Sequence, residues 1–368
     1  MKKKVIYLDY NSTSPCIDWY DSMKEIMLFP LNPSSIHYFG RFAKGVLENA
    51  RREILQTLGL NIREYSLVFT SSGTEANNIA VNSCSNAYAL ATDHASTLRC
   101  IEDTSRIIPV TCKGIVDLDL LKILLKGRGD KPLVCVSLAN SETGVVQPIR
   151  DIVSVAKSHD ALVHVDCVQC VGKLNVQFSD LDCDSMSISS HKIGGMAGIG
   201  ALIFRKNFSI KTYTKGGGQE FGIRSGTESV LHAAIFSQAL SKAVNNVRNY
   251  MQHVSKLRDI MENLISQVCE NVKFWCQDME RLPNTSCIMM PYVDAKIQVM
   301  RFDMLGFAVS MGSACSSGSM TYSHVLKAMQ LSEDEIRSSI RVSLGYDTTE
   351  EHIVEFVKAW EVVYNQRG

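Results

Sequence analysis

Short apolar runs that each end in a cluster of hydroxyl, amide, carboxylate or imidazole groups recur along this chain. They constrain its fold more than any other feature. Residues 66–70, 87–91, 133–137 and 161–165 follow this plan, with helix-compatible segments between them. Runs of this length rich in aliphatic residues read as buried strands. Strands alternating with helices make a layered α/β domain, here with a mostly parallel central sheet. Ligands in such sheets gather beyond the carboxyl ends of the strands. Those ends carry Thr92-Asp93-His94, then Asn140-Ser141, then Asp166, with Gln169 three residues further on at the expected start of the next helix. A further strand, Met186-Ser187-Ile188-Ser189-Ser190, leads to His191-Lys192 and a glycine-rich return into the apolar run 199–204. His94, Asn140 or Ser141, Asp166, Gln169 and Lys192 are thus expected to face one crevice.

The remaining chain fills in around that crevice. Helices are expected over 19–27, 40–58 and 251–268, the last opening a smaller domain. His37, in the loop before the second helix, is either a rim residue or an ordinary loop histidine. A chain of 368 residues with 45% hydrophobic side chains suits one large domain and a smaller one. Its 38 basic and 38 acidic residues cancel, so no net field recruits nucleic acid or an anionic membrane. The Met1-Lys2-Lys3-Lys4 start is followed by only a short apolar run, broken at Asp9, which fits neither a secretory signal nor a membrane span. A cytoplasmic protein is expected. The twelve cysteines mostly lack repeated spacing and suit a reducing compartment. Cys167-Val168-Gln169-Cys170 has the form of a redox or half-metal motif, but no second pair matches it, and no metal is expected.

Two stretches carry specific chemistry. In Ser71-Ser72-Gly73-Thr74-Glu75-Ala76-Asn77-Asn78 a strand passes through a glycine turn into a helix. The first N–H groups of that helix and its dipole converge on one spot, with the Thr74 hydroxyl beside them, which makes an anion site. Capping without a ligand would use the same residues. Lys192 is either a solvated strand end or an amine desolvated among hydroxyls and a histidine, ready to attack an aldehyde. Pyridoxal phosphate (PLP) requires an anion site, a lysine for its aldehyde, a carboxylate for its ring nitrogen and a flat partner for its ring face. Thr74, Lys192, Asp166 and His94 supply these four, and Gln169 is placed to reach the ring hydroxyl.

These residues sit in stretches that resemble the cysteine desulfurases, PLP-dependent enzymes of the class V aminotransferase group and fold type I. The matching segments run in family order from 7–15, 32–40, 69–78, 140–148, 164–173, 185–200 and 216–230 to 312–318 and 339–351. The resemblance implies a large PLP-binding domain over 16–248, and a smaller α+β domain from 1–15 and 249–368. It implies that Lys192 bonds the cofactor, Asp166 pairs with the ring nitrogen, and His94 stacks on the ring and shuttles protons. Gly73, Thr74, Ser189 and His191 would hold the phosphate, and Thr227, in a glycine-rich loop, would reach the phosphate of the other subunit of a homodimer. Arg341 would clamp the substrate carboxylate, with Asn11 and Ser141 beside it. Cys315, in Met311-Gly312-Ser313-Ala314-Cys315-Ser316-Ser317-Gly318, stands among small polar residues that predict an accessible, mobile thiol, unlike the other eleven. It would take sulfur from L-cysteine as a persulfide, leaving L-alanine, and a loop of the long type would deliver it to an acceptor such as an iron–sulfur scaffold.

Three departures from the family pattern qualify this. Ser141 stands where the family usually has a second asparagine. Gly195-Met196-Ala197-Gly198 replaces the usual Gly-Pro-Lys-Gly, and the sequence ends soon after its last expected helix. A sibling lyase acting on selenocysteine or cysteine sulfinate, or a PLP-binding partner of low activity, are the alternatives. Both would dispense with the Cys315 persulfide.

Overall fold

The computed structural model describes residues 5–126, 131–312 and 322–366. Its strands are β1 Ile6–Tyr7, β2 Tyr65–Thr70, β3 Ala87–Leu90, β4 Ile107–Ile108, β5 Leu133–Ser137, β6 Leu162–Asp166, β7 Ser185–Ser189, β8 Gly200–Arg205, β9 Lys273–Phe274, β10 Thr285–Met289, β11 Phe307–Ala308 and β12 Ser339–Ser343. Seven form one sheet in the order β2-β8-β7-β6-β5-β3-β4. The steps from β7 through β6, β5 and β3 to β4 are parallel, whereas β8 runs antiparallel to both its neighbours. This is the expected mostly parallel sheet, and the parallel strands carry their polar ends to a common edge.

The sheet is covered because its strands are apolar on both faces, as parallel strands must be. Val134, Val136, Val163, Val165, Met186 and Ile188 join one core, into which the helices Tyr38–Thr57 and Val230–Asn245 send Leu47, Ile54, Phe236 and Leu240. The opposite face holds Val68, Ala89, Cys135 and Leu202 against Ile79 and Ala80 of the helix Gly73–Asn82. Gly200 makes that approach possible: a Cβ there would lie 2.5 Å from the Ser72 carbonyl carbon and 2.7 Å from the Gly73 nitrogen. A side chain at this position would push the helix start off the sheet edge.

A separate core joins Ile6 and Leu8 to Tyr250, Leu257, Ile288, Val342, Phe356 and Trp360. Here β12, β10 and β9 form an antiparallel sheet, and β1 pairs with β11 in parallel. The helices Val247–Val268 and Glu350–Asn365 cover it. The chain start is thereby tied to segments some 300 residues later, as in the register Ile6 to Phe307.

Several local expectations are corrected. The helix expected over 40–58 is Tyr38–Thr57, and His37 is its N-cap, accepting from the Gly40 N–H. The helix expected from 251 begins at Val247. Gln169 does not open a helix: residues 168–173 form successive turns, held by bonds such as Val171 N to Cys167 O and Lys173 N to Cys170 O. Cys16 and Cys112 are exposed, so Cys315 does not hold the one accessible thiol. Cys167 and Cys170 are both fully buried. No helix among the described residues is long and apolar enough to cross a membrane.

Candidate active site

At the carboxyl edge of the large sheet lies a cavity of about 550 Å³. Asn11, Gly73, Thr74, His94, Asn140, Ser141, Asp166, Gln169, Ser189, His191, Lys192 and Arg341 line it. Thr227 does not; it is exposed, outside the cavity of its own chain. Cys315 lies outside the described residues, but the residues flanking that segment, Gly312 and Tyr322, both line the cavity. Glu142 links these flanks, accepting from the Ser323 hydroxyl and packing against Gly312. Gly312 has φ +92°, and a Cβ there would lie 2.6 Å from a Glu142 carboxylate oxygen. Glycine meets both requirements at no steric cost.

One wall is an anion cradle. Ser72 caps the helix Gly73–Asn82, its Oγ accepting from the Glu75 N–H. The N–H groups of Gly73 and Thr74 in the first turn have no carbonyl one turn back to bond. Ser189 Oγ is buried with no hydrogen-bond partner among the described residues. A buried hydroxyl left so is costly unless a ligand completes it. His191 rests its Nδ1 against Thr13 Oγ1 at 3.1 Å. Burial, then the nearby charges of Lys192 and Lys173, push its pKa down to about 4, so it is neutral at pH 7. The cradle fits a phosphate.

Across the cavity, Asp166 at the end of β6 is held as an acceptor on both oxygens: Oδ1 takes the Val168 N–H at 2.9 Å and Oδ2 takes Asn77 Nδ2 at 2.7 Å. A carboxylate so placed can pair with a protonated ring nitrogen. Lys192 is half-buried, and its Nζ donates to the carbonyls of Asn11 at 2.7 Å and Ser12 at 2.6 Å. Its setting therefore includes the carbonyls of the turn after β1, beyond the hydroxyls and histidine expected from its own strand. Gln169 Nε2 donates to the same Asn11 carbonyl at 2.9 Å. The lysine, ring carboxylate and phosphate cradle fit PLP on the chemistry of their donors.

Arg341, on β12, is buried and donates to Asp9 Oδ1 at 2.6 Å and to the Ser141 carbonyl at 3.1 Å. Its Nε has no partner among the described residues. One arm of the fork is neutralised by Asp9, and buried donor capacity remains. Asn140 is spent on its own turn: Oδ1 accepts from the Glu142 and Thr143 N–H groups, and Nδ2 donates to the Thr92 carbonyl. Both residues line the cavity, but the Asn140 side chain is already engaged there. His94 caps the short helix Ala95–Leu98 through Nδ1, which the Ser96 N–H reaches at 3.1 Å.

Sequence reasoning missed Lys173. Its ammonium-bearing end is buried, with Nζ donating to Asn11 Oδ1 and Gln169 Oε1, each at 2.8 Å. Burial, and secondarily the charges of Lys192 and Arg341, hold its pKa well below the usual lysine range. Its place four residues after Gln169 was the available signal. Asp9, the partner of Arg341, left no signal beyond lying next to the apolar start.

Known proteins resemble this chain along nearly its whole length. Residues 6–356 match the family model "Aminotransferase class-V". The cysteine desulfurase IscS of Dictyoglomus turgidum is 35% identical over 95% of this chain and 92% of its own length. That of Pectobacterium atrosepticum is 37% identical over 95% and 90%. Among solved structures, a NifS-like protein from Rickettsia africae superposes with a TM-score of 0.92 at 37% identity, covering 98% of this chain and 99% of the other. A sheet edge that gathers a lysine, a carboxylate and a phosphate cradle, in a chain so closely related to these proteins, places it in the class-V aminotransferase family and, within that family, among the PLP-dependent cysteine desulfurases.

Proposed function

We propose that this chain converts L-cysteine to L-alanine and leaves the sulfur as a persulfide on Cys315, for delivery to an acceptor protein such as an iron–sulfur scaffold. One observation carries the assignment of roles. The cavity that gathers Lys192, Asp166, Gln169 and the phosphate cradle is also lined by Gly312 and Tyr322, which flank the segment holding Cys315. When bound, PLP supplies the electron sink that stabilises the pair left at the substrate Cα.

The side chains then divide the remaining work. The first turn of the helix Gly73–Asn82, with Thr74, Ser189 and His191, holds the phosphate, and Asp166 keeps a proton on the ring nitrogen. Gln169 addresses the ring hydroxyl. Arg341 fixes the substrate carboxylate, beside Ser141 and Asn11, which orients Cα toward the Lys192 amine. That amine, once released from the Asn11 and Ser12 carbonyls, moves the Cα proton. His94 covers the ring face and handles a second proton.

The Cys315 thiolate attacks the substrate sulfur and the Cβ–S bond breaks. Cysteine and a protein thiol thereby become alanine and a protein persulfide, with no atoms left over. The working unit is a homodimer in which Thr227 of each chain completes the other's phosphate site. It acts in the cytoplasm, with residues 16–248 as the cofactor-binding domain and 1–15 with 249–368 as the smaller one.

The test is incubation of the purified protein with L-cysteine, followed by mass spectrometry and alanine assay. A mass gain of one sulfur atom on Cys315, with alanine formation lost in Cys315→Ala while the cofactor absorbance persists, supports the reading. Alanine release at the wild-type rate by Cys315→Ala would overturn it in favour of a lyase that needs no persulfide.

A further inference from the structure

Behind His94 lies a chain of side chains that the roles above do not use. Asn77, on the helix Gly73–Asn82, is 1% exposed and touches three groups. Its Nδ2 donates to Asp166 Oδ2 at 2.7 Å and to Ser96 Oγ at 2.8 Å, and its Oδ1 lies 3.0 Å from His164 Nε2. A carboxylate only accepts, so the Asp166 contact fixes which end of the Asn77 amide is the NH₂. Oδ1 must then receive a proton from His164 Nε2. The other nitrogen of His164 rests on Ser185 Oγ at 2.9 Å, and the ring is fully buried. No freedom is left for the Asn77 amide to turn over.

The consequence reaches the cavity through Ser96. Its Oγ takes a proton from Asn77, and its own hydroxyl hydrogen is free to point at His94 Nδ1, 2.8 Å away. The Ser96 backbone N–H points at the same nitrogen from 3.1 Å. A backbone N–H can only donate. That donor makes Nδ1 the lone-pair nitrogen, the proton of the neutral ring sits on Nε2, and the Ser96 hydroxyl turns its hydrogen to Nδ1 as a second donor. Moving it to Nδ1 would set an N–H against the Ser96 backbone N–H and cost the cap of the helix Ala95–Leu98.

We propose that Ser96 is a positioning residue that, through Asn77 and Asp166, locks His94 in the Nε2–H form. The ring is thereby a proton donor toward the cavity. It can give a proton from Nε2, but it cannot first take one there. The same Asn77 amide orients Asp166, so the carboxylate proposed for the ring nitrogen and the imidazole proposed for the ring face are set by one side chain. The catalytic consequence rests on the function proposed above, whereas the protonation pattern does not.

The holoenzyme labelled with ¹⁵N-histidine tests this by two-bond proton–nitrogen correlation, with the His94 signals identified by their absence in His94→Asn. In the wild type, His94 Nδ1 is expected in the hydrogen-bonded acceptor range and Nε2 in the protonated range. Ser96→Ala removes one of the two donors. The Nδ1 resonance should move toward that of a free acceptor nitrogen, and the population carrying a proton on Nδ1 should rise on the order of fivefold, as for loss of one neutral hydrogen bond. Ser96→Thr, which keeps the hydroxyl, should restore the wild-type resonance. Alanine formation by Ser96→Ala should lose kcat with KM nearly unchanged. A wild-type His94 protonated on Nδ1, or Nδ1 signals identical in wild type and Ser96→Ala, would overturn the proposal. Failure of the wild type to form alanine would instead sink the proposed function and leave the nitrogen shifts to be judged alone.

Discussion

Replacing Glu220 by glutamine should unlock the loop that carries Thr227. The Glu220 side chain is 1% exposed and faces the Arg51 side chain at 9%. The pair is bidentate, with Arg51 Nη1 and Nη2 at 2.9 and 3.1 Å from the two carboxylate oxygens, and Oε2 also accepts from the Phe69 N–H at 2.8 Å. The guanidinium lies 5.1 Å from the Phe69 ring centre and 5.0 Å from that of Phe221. Glutamine would turn an NH₂ toward these donors and leave Arg51 with the Leu67 carbonyl and, as its carboxylate, only Glu48, a half-exposed partner at 3.3 Å. Breaking one side of a buried pair costs about 3–5 kcal/mol. Release of the loop limits that loss: Glu220 and Phe221 are both left-handed, with φ of 45° and 59°, and each regains roughly 1–2 kcal/mol when let go. Guanidinium unfolding of Glu220→Gln should therefore show a net loss of about 1–3 kcal/mol, with faster amide exchange at Phe69 and over 216–226. The double variant Arg51→Met/Glu220→Gln should be more stable than Glu220→Gln alone, because no charge is stranded. A Glu220→Gln protein within about 0.5 kcal/mol of wild type and with unchanged exchange, or a double variant showing the plain sum of the two single losses, would refute this account.

Two further outcomes follow from buried groups near the cavity. Lys173→Met should hold stability within about 1 kcal/mol of wild type, since it removes a buried ammonium whose charge burial already disfavours. It also frees the amides of Gln169 and Asn11, so titration of the apoprotein with PLP should show affinity reduced roughly fivefold. Tighter binding than wild type would contradict the positioning of Gln169 by Lys173. His164 is fully buried and its pKa is pushed by burial from 6.5 down to about 4, so the folded state keeps it neutral where the unfolded chain protonates it. Stability should fall as pH drops from 6.5 toward 4, with about 2 kcal/mol lost from this group by pH 5. His164→Gln should flatten that part of the profile, and equal slopes in both proteins would show that some other group is responsible.

What the sequence disclosed and what it hid separate along a physical line. The carboxyl ends of strands are written locally, in apolar runs that stop at polar residues, so the gathering of Lys192, Asp166 and His94 on one edge is legible in the sequence. The groups that hold those side chains are not local. Asp166 is fixed by Asn77 at a separation of 89 residues, and Arg341 by Asp9 at 332. Lys173 was legible as a position four residues after Gln169 but not as a buried amine, because its other acceptor, Asn11 Oδ1, lies 162 residues away.

Asn11 shows how far this goes. The resemblance assigns it to the substrate, yet its Nδ2 donates to Thr285 Oγ1 and the Ser141 carbonyl, while its Oδ1 accepts from Lys173 and Asn284. Its backbone carbonyl is shared by Lys192 and Gln169. An amide so fully engaged has to surrender a buried bond before it can reach a substrate, and the Ser141 contact, which is the part-buried one of its two donations, is the cheaper to give up. Substrate contact by Asn11 would thus loosen the Ser141 carbonyl that Arg341 also holds, and the carboxylate would enter between these two donors as that carbonyl withdraws.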